Sequence, residues 1–269
     1  RPAIEKIAAE LGVDVVAQAA PKAGAVRLAK VGLYRQWGSN IDEGWTRWLL
    51  EQYHYAPTSV YNKDMQAGGL KAKYDVLILP DMGGRGNTAG KSLLDGIAAA
   101  DAPASYAGGI GTKGTEALKR FVADGGTLIA FSKTADAMIG LLDLPVSNVL
   151  AGLKPEQFFC SGALLKLDVQ AGTATAGLPA HPTGMFENGP AFAPKDGFKG
   201  QVLASYPAAE NPLLSGMLKG PQAIQGKAAA VEVDYGKGKV YLYGFRPQWR
   251  GQSQGTYKFV FNTLYAPAH

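Results

Sequence analysis

Ala117, Leu118, Phe121 and Val122 fall at the three-and-four spacing of one helical face, which predicts a helix over Thr115 to Val122. Asp124-Gly125-Gly126 follows, and glycine there predicts a left-handed cap that ends the helix. The pattern then changes period. Thr127-Leu128-Ile129-Ala130-Phe131 is an unbroken apolar run, as expected of a strand buried on both faces of a parallel sheet. It stops at Ser132-Lys133-Thr134, after which Thr134 to Leu142 reads as a helix. Ser132 is thereby predicted at a strand-to-helix corner, the position where α/β hydrolytic folds carry a nucleophile.

The same reading extends along the chain. Pro2 to Leu11 is predicted helical, with Ile4, Ile7, Ala8 and Leu11 on one face, followed by an Ala/Gly/Pro-rich link to residue 26. Arg27 to Tyr34 and Tyr74 to Pro80 read as strands, and Thr58 to Asn62 as a short one. Asp42 to Tyr53 reads as a helix capped by Asn40 or Asp42, with a buried stripe of Trp45, Trp48, Leu49 and Gln52. Asp64 to Gly68 reads as a turn of helix, and Asp81 to Gly114 as a long glycine-rich connection. Beyond Leu142 strands dominate: Leu165 to Val169, Gln201 to Tyr206, and a hairpin of Ala228 to Asp234 with Lys239 to Phe245 around Tyr235-Gly236-Lys237-Gly238. A closing helix is predicted from Gln254 to Tyr265. The alternation predicts a flavodoxin-like three-layer α/β sandwich over residues 27–269, with a β-rich addition at about 155–245, behind an N-terminal helix and linker of residues 1–26.

Composition narrows the function classes. The 269 residues are 46% hydrophobic and 18% charged, with 35 glycines, which suits a globular chain with many tight turns. The formal charge of +5 is spread without a Lys/Arg face or an aromatic nucleic-acid motif, so a nucleic-acid partner is not expected. No apolar run reaches membrane-spanning length, and no membrane partner is expected. The single cysteine, Cys160, excludes an internal disulfide and sits in an apolar run with no base beside it. Three histidines and scattered acids give no metal-ligand spacing, and Gly83-Gly84-Arg85-Gly86 is not a full phosphate loop, so neither a metal nor a cofactor is expected. The chain opens on Arg1, which reads as a mature or trimmed chain.

Several runs carry a resemblance. The order of elements resembles the class I glutamine amidotransferase-like superfamily. Trp37, Asp42-Glu43-Gly44-Trp45-Thr46-Arg47-Trp48, Leu77-Ile78-Leu79-Pro80-Asp81 and Arg246-Pro247-Gln248-Trp249-Arg250-Gly251-Gln252 resemble the C-terminal domain of bacterial secreted zinc carboxypeptidase-like proteins. That second resemblance implies a secreted or periplasmic bacterial protein. The superfamily pattern implies a cysteine at the corner, a His-Pro-Glu run after a late strand, and an oxyanion hole of backbone N–H groups near a glycine pair. Here the corner carries Ser132, the late run is Phe245-Arg246-Pro247-Gln248, and the hole would use Gly83, Gly84 and Lys133. Arginine stays protonated and cannot take a proton from a hydroxyl. Without general-base help, commonly worth ~10²–10⁴ in rate, glutaminase activity is not expected.

Two readings follow. In the first, the chain is a degenerate amidotransferase-like domain used for binding or as an accessory. Ser132 then caps the helix after it, and Trp37, Trp45, Arg246, Gln248, Trp249 and Arg250 contact a small-molecule or polymeric ligand, with Tyr243 beside them. In the second, the chain is a serine hydrolase of esters with bulky or aromatic acyl groups. Ser132 is its nucleophile and His181 its base, with Glu187 or Asp136 orienting the imidazole.

Overall fold

A computed structural model describes residues 2–17, 19, 26–38, 40–83 and 88–267. In chain order the first elements are α1 (Pro2–Leu11), β1 (Val26–Leu28), β2 (Val31–Tyr34), α2 (Ile41–Gln52), β3 (Thr58–Val60), α3 (Asn62–Ala67), α4 (Leu70–Lys73), β4 (Val76–Leu79) and α5 (Thr88–Asp95). Then come α6 (Gly111–Ala123), β5 (Thr127–Phe131), α7 (Ser132–Leu141), β6 (Val146–Asn148), β7 (Ala163–Lys166), β8 (Asp168–Val169), β9 (Thr183–Phe186) and β10 (Phe192–Pro194). The chain closes with β11 (Gly200–Ser205), β12 (Leu213–Gly216), β13 (Ala228–Tyr235), β14 (Gly238–Tyr243), α8 (Lys258–Phe261) and β15 (Tyr265–Pro267). Leu28–Ala266 form one compact unit. The N-terminal helix belongs to another, and there Ala8 is buried while Ile4, Ile7 and Leu11 are exposed. Periodicity marked the apolar face of that helix but not what covers it.

The main sheet runs β3-β2-β4-β5-β14-β13-β10-β6, and its first five strands are parallel. Alternation within those strands divides the core. Leu33, Ile78, Ile129, Phe131 and Tyr243 point to one face, and Tyr34, Leu77, Leu79, Leu128, Ala130 and Leu242 to the other. Residues of α3, α4, α6 and α7 cover the second face. The first is covered by Leu50 of α2, Phe259 and Val260 of α8, and a three-stranded sheet ordered β12-β7-β9. The mixed α/β sandwich is therefore as expected, but the hairpin of β13 and β14 is not an appendage. Beta-14 pairs in parallel register with β5, Tyr243 opposite Phe131, and completes the core.

Several boundaries moved. The predicted strand 27–34 is interrupted at Ala29-Lys30, and the glycine-rich connection contains α5. The closing helix is reduced to α8 with a 3₁₀ turn, Gln254–Thr256, before it. In α2 the buried face is Asp42, Glu43, Thr46, Leu49 and Leu50, while Trp48 is 43% exposed and Gln52 lies outside. The helix is rotated from the expected aromatic stripe because its acidic face has an ionic partner, described next.

Candidate functional site

Parallel strands deliver their C-terminal ends to one edge of the sheet, and ligand sites in open α/β sheets lie outside that edge. Leu79 pairs with Ala130, and Tyr243 with Phe131. Asp81, Ser132 and Arg246 therefore leave neighbouring strands on the same side. Alpha-2 begins there too, after β2. Asn40 accepts from the N–H groups of Asp42 and Glu43 at 2.9 and 3.1 Å, and its Nδ2 donates to the Asp81 carbonyl at 3.3 Å.

The centre of this edge is Arg246, nearly buried and facing three carboxyls. Its Nε donates to Asp81 Oδ2 at 3.0 Å and Nη2 to the same oxygen at 2.5 Å. Nη1 donates to Glu187 Oε2 at 2.9 Å. Asp42 Oδ2 lies 3.3 Å from Nε but completes no hydrogen bond among the described residues. Burial pushes the Asp42 carboxyl up to about 7; Arg246 pulls the other way, and the charges of Asp81 and Glu187 add to the rise. Arg246 itself is held above its ordinary value: burial opposes its charge, but the surrounding carboxylates outweigh that. Asp42 has the poorest contact with the guanidinium of the three acids, so the penalty of its burial is only partly offset. The second oxygen of Asp81, Oδ1, accepts from Gly83 N–H at 2.9 Å.

Ser132 stands at the corner between β5 and α7, with φ +50. A non-glycine residue in the left-handed region costs of order 1–3 kcal/mol and persists where its surroundings enforce it. Here the enforcement comes from both sides. Thr134 Oγ1 donates to the Pro80 carbonyl at 2.8 Å and accepts from Met82 N–H at 2.9 Å, tying the start of α7 to the loop after β4. Gly189 packs over the serine so closely that a Cβ there would lie 3.3 Å from Ser132 Oγ and 2.0 Å from the Gly244 carbonyl oxygen. Ser132 is fully buried, and its Oγ has no hydrogen-bond partner among the described residues. It does not cap α7, which has no side-chain cap at that end.

The residues expected to form a triad are not brought together. The His181 imidazole is largely exposed and bonds Asp168 through Nδ1 at 2.7 Å, while Glu187 is paired with Arg246. Asp136 lies in α7, its carboxyl held above its ordinary value because burial outweighs a hydrogen bond with the Asn148 side chain. Among the oxyanion candidates, Gly83 already donates to Asp81, Lys133 lies in the first turn of α7, and Gly84 lies outside the described residues.

Each of the other candidates has neighbours of its own. Trp37 stacks on Tyr106 at 4.7 Å, Trp45 meets Trp48 edge-on at 5.8 Å, and Tyr243 is buried with its hydroxyl donating to the Phe259 carbonyl at 2.6 Å. Gln248 is fully buried, donating to Thr46 Oγ1 at 3.0 Å, and its Oε1 has no hydrogen-bond partner among the described residues. Trp249 carries the Arg250 guanidinium 4.9 Å from its ring centre. Asp42 and Asp81, which anchor the centre, were not chosen from sequence as site residues. Their signal was an acid closing an all-apolar strand and an arginine in an apolar run, which must find each other or stay unpaired.

No protein-family model matches the chain, and no curated protein matches its sequence. Solved structures do. Thermotoga maritima PurLQS superposes with TM-score 0.56 at 14% identity, covering 88% of this chain and 98% of its own. A putative GMP synthase subunit from Thermoplasma acidophilum gives 0.54 at 12% identity, covering 88% and 93%. The fold is glutamine amidotransferase-like. A β-galactosidase from Bacillus circulans sp. alkalophilus is also similar, with TM-score 0.51 and 13% identity over 87% of this chain; the chain spans only 30% of that protein.

Proposed function

We propose that this glutamine amidotransferase-like domain is non-catalytic and serves as a binding or accessory domain. The observation that carries the reading is the Arg246 cluster. At the position the superfamily gives to a histidine base, a guanidinium is clamped by Asp81, Glu187 and Asp42. A buried, paired arginine neither accepts a proton nor turns aside to admit a group that does. Asp81 also occupies the Gly83 N–H, a donor that an oxyanion would need. The similarity to part of a longer β-galactosidase supports the accessory role, since a domain of this fold occurs there within a larger enzyme chain. The resemblance to secreted carboxypeptidase-like proteins points the same way and implies a location outside the cytoplasm.

One feature favours a second reading. Ser132 holds the left-handed backbone conformation at a strand-helix corner, the conformation of a nucleophile elbow. An ester hydrolase of this design would require the segment 187–189 to move off the serine and a base to arrive. The test is a panel of aryl and alkyl esters assayed with wild type, Ser132→Ala and His181→Ala. The non-catalytic reading expects the same background rate from all three. Turnover by wild type that both substitutions abolish, with melting temperatures unchanged, would overturn it.

A further inference from the structure

Resting on the binding-domain reading, we propose that the groove between the three-stranded sheet and the turn after Trp249 is a binding site for a neutral sugar ring. The groove has a volume of about 680 Å³, within the ~300–1,000 Å³ of small-molecule sites. Its floor is β7, β9 and β12, and its other wall is the segment 249–255. That wall belongs to the same loop that supplies Arg246, whose N–H donates to the Met185 carbonyl of β9 at 3.1 Å.

The lining has a particular chemistry. Every side chain in it is uncharged. Trp249 gives an aromatic surface, and Leu164, Met185 and Ala163 extend the apolar part. Gln252 and Gln254 each carry a donor and an acceptor on one planar group, and Thr183, Ser215 and Ser253 add hydroxyls that do either. None of these five polar side chains forms a hydrogen bond within the chain among the described residues. Neighbouring hydroxyls of a pyranose present paired donors and acceptors around an edge, and its C–H face is apolar. The groove offers the complement of both. The lining itself offers a charged ligand no counter-ion, the neighbouring cation being Arg250 on the Trp249 ring, and a purely apolar ligand would strand the amides.

The groove is also held in shape before any ligand arrives. Ser215 is presented by a bulge between Leu213 and Ser215 in the pairing with β7, a device that re-aims a side chain. Arg250 takes φ +48 and lies against the Trp249 ring, restraining the indole. Gly251 fits against Trp48, where an added Cβ would come within 2.6 Å of the ring. Rigid aromatic anchors lose little freedom on binding, which favours affinity.

Calorimetric titration of the whole chain with glucose, galactose, mannose, N-acetylglucosamine, cellobiose, maltose and lactose tests the assignment, alongside an array of neutral oligosaccharides. Glucuronate serves as the charged control. Saturable binding of at least one neutral saccharide is expected, weakened at least tenfold by Trp249→Ala and by Gln254→Ala, and unchanged by Lys113→Ala on α6. Free sugars binding as tightly as oligosaccharides would assign a single ring; retention on the array alone would assign a glycan chain. No binding by any neutral saccharide, binding indifferent to both Trp249→Ala and Gln254→Ala, or a preference for glucuronate would overturn the proposal. Gln254 is exposed, so its variant remains informative if Trp249→Ala fails to fold. Silence here with inert esters defeats the sugar assignment alone, whereas Ser132-dependent ester turnover defeats the binding-domain reading itself.

Discussion

At Ser132, a backbone held at φ +50 and a hydroxyl buried without a partner among the described residues are two unfavourable terms on one residue. Glycine removes both, at the cost of a more flexible unfolded chain. Ser132→Gly is therefore expected to stabilise the protein by about 1 kcal/mol, read as a higher denaturant midpoint at constant slope. A lower midpoint would show that Oγ has a stabilising contact after all. The corner itself was legible in the sequence, because an apolar run that ends on Ser-Lys-Thr must turn there. The handedness of its backbone and the glycine lying over it were not, since Gly189 is 57 positions away and only the folded sheet edge joins them.

Among the elements, α2 shows what periodicity can and cannot decide. Its limits were read to within one residue at each end, and Asn40 caps it. Asn40→Ala removes the acceptor for two first-turn N–H groups and the donor to the Asp81 carbonyl. A loss of about 1 kcal/mol is expected, within the range of ~0.5–2 for such caps, measured by chemical denaturation. No change would mean that water replaces the cap fully. The face that α2 buries was misjudged, because tryptophans outrank aspartate on any hydrophobicity scale. The scale omits a partner 204 positions away: Asp42 turns inward toward Arg246. The strands were easier to read, since burial on both faces leaves an unbroken apolar run. Conversely, the predicted last helix shrank to α8: Gly255 sits in the 3₁₀ turn before it, and the chain leaves the helix after Phe261 although the aromatic spacing continues to Tyr265.

For the molecule as a whole, the Arg246 cluster joins α2, the loop after β4, the Glu187 segment and the loop after β14, so its protonation is a property of the fold. The Asp42 carboxyl is raised to about 7 from the ~3.9 of an unfolded aspartate. Between those values the folded chain binds the extra proton, so this group makes stability fall as pH rises and adds no further slope above about 7. Melting temperatures of wild type and Asp42→Asn compared across that window should diverge, wild type losing a few kcal/mol at most relative to the variant toward the alkaline end. Parallel curves would place the proton elsewhere. The cluster has one more consequence, for any attempt to place a proton acceptor at position 246. A neutral histidine put at position 246 would face three acids with no permanent cation among them, and it would be driven to take up the very proton it must be ready to remove. A neutral base there requires the facing acids to be exchanged along with Arg246, because replacing Arg246 alone leaves Asp81 and Glu187 without their guanidinium partner.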